Sequence, residues 1–339
     1  MKTFGMDDGY GEIKVGNGEH FQALPSKAVR GKVVRSQYAA GEFHVAGAPV
    51  LESENALFTL QDAANVEDTR FDGWPHSAMN RVLCRYAAST LGFQDGDNIV
   101  TGLPMSVYFD RNGQVNQAAI QRRCTSLKLP VMQHMPDGMI RHLATPGRIK
   151  VLPQGMAAIF DAILDLPAHE TLPEMVGVVD IGSRTTDVAV YAMQDADNGG
   201  SIEVSRSGGF QKGVSNLVEL LAQALQQSLR LPALPPLSTV TQSLKTGQFK
   251  AAGKSYNVET ERAQVMRMGI TEILQDAERI LSAGMGLSGL MDLDRILIVG
   301  GGARILEKVQ VKTWDQAWIP DEPEMANVRG MVKLGQRLR

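Results

Sequence analysis

Three short stretches of this chain carry residue types that suit phosphate chemistry. The first is Asp7-Asp8-Gly9-Tyr10-Gly11-Glu12-Ile13-Lys14, the second Asp180-Ile181-Gly182-Ser183-Arg184-Thr185-Thr186-Asp187, and the third Gly300-Gly301-Gly302-Ala303. Glycine tolerates the positive φ of a tight turn and lets backbone N–H donors come close to a phosphate. A hairpin turn then presents those donors much as a helix N-terminus does. A carboxylate opening such a turn would repel phosphate directly. It makes sense where hydrated Mg²⁺ lies between the two, because Mg²⁺ keeps several waters and is held by one or two carboxylates plus phosphate oxygens. Lys14 adds a point cation for β- or γ-phosphate charge. Taken singly, each acidic stretch also reads as an ordinary hairpin turn, and the triple glycine as a tightly packed strand-to-helix connection.

The elements that must position these residues repeat along the chain. Residues 2–7 and 12–16 read as two strands around the first turn. Residues 19–73 are turn-rich, with strand candidates such as Glu42–Ala46. Residues 76–91 place Met79, Val82, Leu83, Tyr86, Ala87 and Leu91 at helical spacing, closed by Gly92. A buried strand follows at Asn98–Leu103, then a surface helix at 114–127 and a short apolar helix at 153–165, entered at Pro153. From Met175 the theme returns: strand, acidic glycine turn, strand, a third strand at Ser201–Ser205, and an apolar helix at Gly213–Leu229. Pro232, Pro235 and Pro236 break that helix, and 238–258 reads as a small polar subregion. A long helix at Arg262–Ala283 precedes a strand, Arg295–Val299, that runs into the triple glycine. Aligning Asp7-x-Gly9 with Asp180-x-Gly182 places Ile13 and Val15 opposite Val188 and Val190, with the second turn two residues longer. Period-2 alternation survives in both copies, as paired strands require.

Bulk properties narrow the function. The 339 residues favour two domains, and 43% hydrophobic with 21% charged residues describes an ordinary globular chain. No apolar run approaches the ~20 residues of a membrane span. Asp7 and Asp8 leave no room for a signal-peptide core, so a cytoplasmic location is expected. Cys84 and Cys124 form neither a disulfide framework nor a thiolate metal site. A net charge of −3 with dispersed signs gives no basic face for DNA; the Arg122-Arg123 pair reads as a solvated helix face. No Walker A sequence occurs, which excludes a P-loop NTPase. The Rossmann pattern Gly-x-Gly-x-x-Gly fails at Ile305 and is missing from the first βα unit.

On these residues the chain resembles the actin/heat-shock chaperone/sugar kinase superfamily. Asp-Asp-Gly-Tyr-Gly-Glu-Ile-Lys, Val-Val-Asp-Ile-Gly-Ser-Arg-Thr-Thr-Asp-Val and Ile-Val-Gly-Gly-Gly-Ala are similar to its phosphate-1, phosphate-2 and adenosine motifs. Within it the chain resembles the bacterial plasmid-segregation actins, the ParM/StbA group. The similarity includes Thr101-Gly102-Leu103-Pro104, Gly208-Gly209-Phe210 leading to Gly213-Val214-Ser215, and Ala326-Asn327-Val328-Arg329-Gly330. It covers nearly the whole chain and is weakest at residues 19–73 and 230–262.

The resemblance implies an α/β fold of two duplicated, ribonuclease H-like lobes around a nucleotide cleft, each with a mixed central sheet and a smaller variable subdomain. The first lobe would span 1–152, with 322–339 packing back on it. The second would span 153–321, with its small subdomain at about 230–262. Asp7 and Asp180 would hold Mg²⁺ through water. Asp8, Gly9, Tyr10, Gly11, Lys14, Gly182, Ser183, Arg184 and Thr185 would line the phosphates of ATP or GTP, and Gly300, Gly301, Gly302 and Ala303 the nucleoside. Gln154 occupies the place where the superfamily opens its interdomain helix with Glu or Gln. It would orient the attacking water by hydrogen bonds, since an amide cannot serve as a base at neutral pH.

The function so implied is a nucleoside triphosphatase that polymerises head to tail with itself and disassembles after hydrolysis. It would drive plasmid DNA segregation through a centromere-binding adaptor, with no direct DNA or membrane contact. Two alternatives stay open: a small-molecule kinase of the same fold, and a non-polymerising scaffold of cell division or pilus assembly. No sugar-recognition pattern follows the first lobe's strands, and the tail Val328–Arg339 alternates too briefly for an amphipathic anchor.

Overall fold

A computed structural model describes residues 1–33, 35–39, 42–61, 66–110, 112–164, 171–193, 200–286, 289–309, 311 and 313–337. The chain divides into two compact units, Met1–Leu164 with Asn327–Arg339, and Asp165–Ala326.

In chain order the first unit contains β1 (Thr3–Asp8), β2 (Glu12–Gly16), β3 (Phe21–Pro25), β4 (Val29–Arg30), β5 (Arg35–Ala39), β6 (Glu42–Ala46), β7 (Val50–Ser53) and β8 (Ala56–Thr59). Then come α1 (Ala78–Thr90), β9 (Asn98–Leu103), α2 (Met105–Tyr108), α3 (Gln117–Lys128), β10 (Met132–His134), β11 (Ile140–His142), β12 (Ile149–Pro153) and α4 (Met156–Leu164). Its central sheet runs β12-β9-β1-β2-β3, and a second sheet runs β11-β10-β7-β8-β4. β1 is buried along its whole length, as a strand covered on both faces must be. Phe4 and Met6 point into a core with Val82, Leu83 and Ala87 of α1. On the opposite face Gly5 is pressed so closely by a C-terminal helix that a Cβ there would lie 2.5 Å from the Val328 carbonyl.

The second unit contains β13 (Met175–Ile181), β14 (Thr186–Met193), β15 (Gly200–Ile202), β16 (Gly208–Phe210), α5 (Val214–Ser228), α6 (Leu237–Thr246), β17 (Gln248–Ala251), β18 (Lys254–Asn257), α7 (Glu259–Leu281), β19 (Arg295–Val299), α8 (Ala303–Val309) and β20 (Ala317–Trp318). Its sheet runs β15-β14-β13-β19-β20, with β16 also paired to β14. The last helix, α9 (Ala326–Arg337), carries the chain back into the first unit.

The two central sheets share one plan. β1 pairs antiparallel with β2 and parallel with β9, which pairs parallel with β12. β13 likewise pairs antiparallel with β14 and parallel with β19, which pairs parallel with β20. The duplication expected from the sequence is therefore present in connectivity and strand direction, but its register differs from the one expected. Asp7 faces Lys14 across the first hairpin, and Asp180 faces Asp187 across the second. The two turns have the same length, so Val15 corresponds to Val188, and Ile13 to Thr186. A shift of two residues leaves every side chain on its own face, so alternation alone could not distinguish the two alignments.

Three further expectations need correction. The helix read as a surface element, α3, buries Ala119, Arg123, Ser126 and Leu127; Arg123 is wholly enclosed and is no part of a solvated face. The subregion read as polar folds as α6 and the β17–β18 hairpin, and contributes Val240, Leu244, Phe249 and Val258 to the unit's main core. The third strand of the second unit is shorter than expected, ending at Ile202, and a 3-10 turn takes up Val204–Arg206.

Candidate functional site

Asp7 and Asp8 are neighbours on one strand, so their side chains leave on opposite faces. Asp7 stays beside Lys14, whose Nζ lies 3.4 Å from Oδ2. Asp8 turns into the core. Its Oδ2 accepts from Asn80 Nδ2 of α1 at 2.8 Å and lies 3.0 Å from Arg123 Nη2 of α3. Burial pushes the Asp8 carboxyl up, against the pull of Arg123 and Asn80. Arg123 Nη1 donates to Asn80 Oδ1 at 2.8 Å and to the Pro75 carbonyl, so the three side chains form one closed network behind the turn. The turn therefore presents Asp7 and Lys14 on one side and is anchored through Asp8 on the other.

The backbone between them is also held. Trp74 Nε1 donates to the Asp8 carbonyl at 2.8 Å, Ser26 Oγ to Gly9 at 2.7 Å, and Thr69 Oγ1 to Tyr10 at 2.7 Å. The Ser26 amide donates to Gly11 at 2.9 Å. All peptides here are trans, and a trans peptide points its N–H opposite to its C=O. The amides of Gly9, Tyr10 and Gly11 are thus directed away from these partners. Tyr10 packs tilted against Trp74 at 6.4 Å. Ser26, Thr69, Trp74, Asn80 and Arg123 are functional candidates that sequence reasoning missed. Only Arg123 carried a signal, a charged residue at an otherwise apolar helical spacing.

Gln154 lies in the turn between β12 and α4, not in the helix itself: Pro153 still pairs with Leu103, and Gly155 takes φ +83° before the helix begins at Met156. Its amide donates to the Leu103 carbonyl at 2.8 Å, and its Cγ lies 3.0 Å from where a Gly102 Cβ would stand. Register carried one step beyond Met6–Thr101 puts Asp7 beside Gly102 on the same sheet face. The first unit therefore gathers Asp7, Lys14, the glycine turn and Gln154 at the carboxyl ends of its parallel strands, where open α/β sheets place their ligands.

In the second unit Ser183 and Arg184 form the turn between β13 and β14, closed by the Gly182 amide donating to Thr185 at 2.9 Å. The amides of Val214 and Ser215, which open α5, donate to the carbonyls of Gly182 at 3.0 Å and Ser183 at 2.7 Å. Gly213 permits this approach, since a Cβ there would lie 2.6 Å from the Gly182 oxygen. The Gly302 amide donates to the Ile181 carbonyl at 2.9 Å. Gly300 takes φ +82°, and a Cβ on it would lie 2.5 Å from Asp180 Oδ1. Asp180, the Gly182–Thr185 turn and Gly300–Gly302 are thus brought together, whereas Ala303 is fully buried in the unit's core. Asp187, the last residue of the second motif, lies opposite Asp180 across the hairpin.

Family models match both halves of the chain. Residues 2–165 match the N-terminal model of the plasmid segregation protein ParM, and residues 178–311 the C-terminal model of archaeal MreB-like actin homologues. The fold itself matches solved structures over its whole length. A 15-stranded ParM filament from Clostridium botulinum superposes with a TM-score of 0.79 at 21% identity, covering 99% of both chains. A non-polymerisable quadruple mutant of pCBH ParM gives 0.75 at 22% identity, again over 99% of both. In both halves of its sequence and in its fold the chain is similar to actin-like proteins, ParM among them. An archaeal actin homologue in complex with ADP shares the same fold with a TM-score of 0.75 and 20% identity, over 99% of this chain and 100% of the other. No curated protein sequence matches the chain. The actin fold accounts for the shared plan of the two sheets, and no helix among the described residues is long and apolar enough to cross a membrane.

Proposed function

We propose that this chain is a filament-forming, nucleotide-hydrolysing actin that assembles with bound ATP or GTP, disassembles after hydrolysis and segregates plasmid DNA through a DNA-binding adaptor. One observation carries the nucleotide half of this reading. Two glycine turns at equivalent places in the two sheets have their carbonyls engaged from behind, which directs the amides of Tyr10, Gly11, Ser183 and Arg184 outward as an anion-binding nest requires. The likeness to ParM supports the assembly and segregation half.

The residues present fit a hydrated Mg²⁺ accompanying the nucleotide. No group of three or more His, Cys, Asp or Glu side chains that could hold a metal occurs among the described residues, which thus offer no all-protein cage. Single carboxylates at turns are what Mg²⁺ uses when phosphate and water complete its shell. Asp180 and Asp187 are cross-strand partners in the second hairpin. Asp7 and Asp180 would hold the ion through water, and its charge would offset that of the phosphate oxygens. The amides of Tyr10, Gly11, Ser183 and Arg184 would bind phosphate, Lys14 would add a point charge, and the Gln154 carboxamide would orient water by hydrogen bonding. Head-to-tail contacts that do not close into a ring give open filaments.

The deciding experiment is ultracentrifugal pelleting of the purified chain with ATP, GTP, ADP or no nucleotide, followed by imaging of the pellet. Nucleotide-dependent filaments are expected. Failure to assemble in any nucleotide, at concentrations well above micromolar, would sink the proposal.

A further inference from the structure

Corresponding carbonyls of the two turns accept hydrogen bonds from chemically different donors. With Asp7 equivalent to Asp180, Asp8, Gly9 and Tyr10 correspond to Ile181, Gly182 and Ser183. In the second unit the three carbonyls accept from the main-chain amides of Gly302, Val214 and Ser215. In the first they accept from side chains: Trp74 Nε1, Ser26 Oγ and Thr69 Oγ1. All three of these residues are buried, Ser26 just after β3 and Thr69 and Trp74 in the connection that leads into α1.

Such pins matter because the turn is built on glycine. Gly9 and Gly11 accept either sign of φ, so the peptide planes around Tyr10 can rotate without the steric barrier that other residues impose. A rotated plane would aim a carbonyl oxygen, not an N–H, at the bound anion. In the second unit that rotation is opposed by the start of a 15-residue helix.

We propose that Ser26, Thr69 and Trp74 are positioning residues of the phosphate-binding turn, holding its peptide planes with amides outward in place of the main-chain donors used by the second unit. This inference rests on the nucleotide reading given above. It goes beyond it in assigning a phosphate-affinity role to three side chains that touch no ligand. It also makes the first turn the one whose affinity side-chain substitution can tune.

The test uses the full chain titrated with ATP and Mg²⁺, below the concentration at which it assembles. Thr69→Val keeps the side-chain shape and removes the hydroxyl; Thr69→Ser keeps the hydroxyl and removes a methyl. One lost hydrogen bond should raise the dissociation constant about fivefold in Thr69→Val, and about as much in Ser26→Ala, which frees the neighbouring Gly9 carbonyl. Thr69→Ser should bind like the unsubstituted chain. Melting without nucleotide separates any general loosening of the fold, which a purely structural hydroxyl would cause without the Val/Ser contrast in affinity. The proposal is overturned if Thr69→Val and Ser26→Ala bind ATP as the unsubstituted chain does, or if Thr69→Ser loses as much affinity as Thr69→Val. If the unsubstituted chain binds neither ATP nor GTP, the nucleotide reading itself fails, and this inference with it; if it binds GTP alone, the same titrations are read with GTP.

Discussion

Asp8 and Arg123 form an ion pair at 3.0 Å with both side chains enclosed by protein. It links the last residue of β1 to the middle of α3, across a sequence gap that carries β4, β7 and β8 of the second sheet. Its geometry makes Asp8 an anchor of the glycine turn, while its neighbour Asp7 remains on the opposite face beside Lys14.

Removing one partner of a buried pair leaves the other charge without compensation, which typically costs about 3–5 kcal/mol. Arg123→Met is therefore expected to lower unfolding free energy by about that amount, as read by urea denaturation. The double variant Asp8→Asn/Arg123→Met should recover part of the loss, because neither charge is then left alone. Additive losses in the double variant would contradict the pairing.

The triple glycine makes a prediction with its own internal control. A Cβ on Gly302 would overlap the Ile181 side chain, whereas nothing lies within 4 Å of one on Gly301. Gly302→Ala should destabilise the chain by about 1–3 kcal/mol through overpacking, and Gly301→Ala by less than about 0.5 kcal/mol. Denaturant midpoints compare the two directly.

Asp180→Ala should abolish nucleotide hydrolysis in a phosphate-release assay while leaving the melting temperature nearly unchanged, since the side chain is only half-buried. Normal turnover by this variant would remove Asp180 from the site.

Arg206 grips Asp292 with two nitrogens, at 2.5 and 3.0 Å, and these hydrogen bonds hold the Asp292 carboxyl below its ordinary 3.8. A lowered folded-state value means that the unfolded chain binds the proton first on acidification. The pair's contribution is therefore fully present above about 3.8 and is lost as pH falls through the lowered value. Melting temperature measured from neutral pH down to strong acid should fall less steeply there for Asp292→Asn than for the unsubstituted chain.

How much of this was legible depends on the kind of signal. The strand at Asn98–Leu103 and the acidic turns announced themselves, because apolar runs and glycine act locally. Register was not legible, since alternation is blind to a shift of two. Arg123 looked solvated because sequence gives the periodicity of a helix and not which polar residue its buried face admits. Ser26 and Thr69 carry no pattern at all; each matters only because the fold brings one hydroxyl beside a carbonyl 17 or 59 residues away. Gln154 was expected at the opening of a helix and lies in the turn between β12 and α4, a boundary that only backbone pairing defines.

The clasp of α9 on α4 has a consequence for biosynthesis. Asp161 binds Arg329 at 2.8 Å and Lys333 at 2.5 Å, and Gly330 lies so close to Ala157 that any Cβ would overlap its carbonyl. These partners are up to 172 residues apart, with the entire second unit between them. On the ribosome the first unit must therefore wait, with the Gly5 face of its sheet uncovered, until the other unit has been made. Closing so long a loop is easier once the intervening chain has become compact. The second unit is thereby expected to fold before the first is sealed, and the exposed sheet face is where a nascent-chain chaperone would be needed.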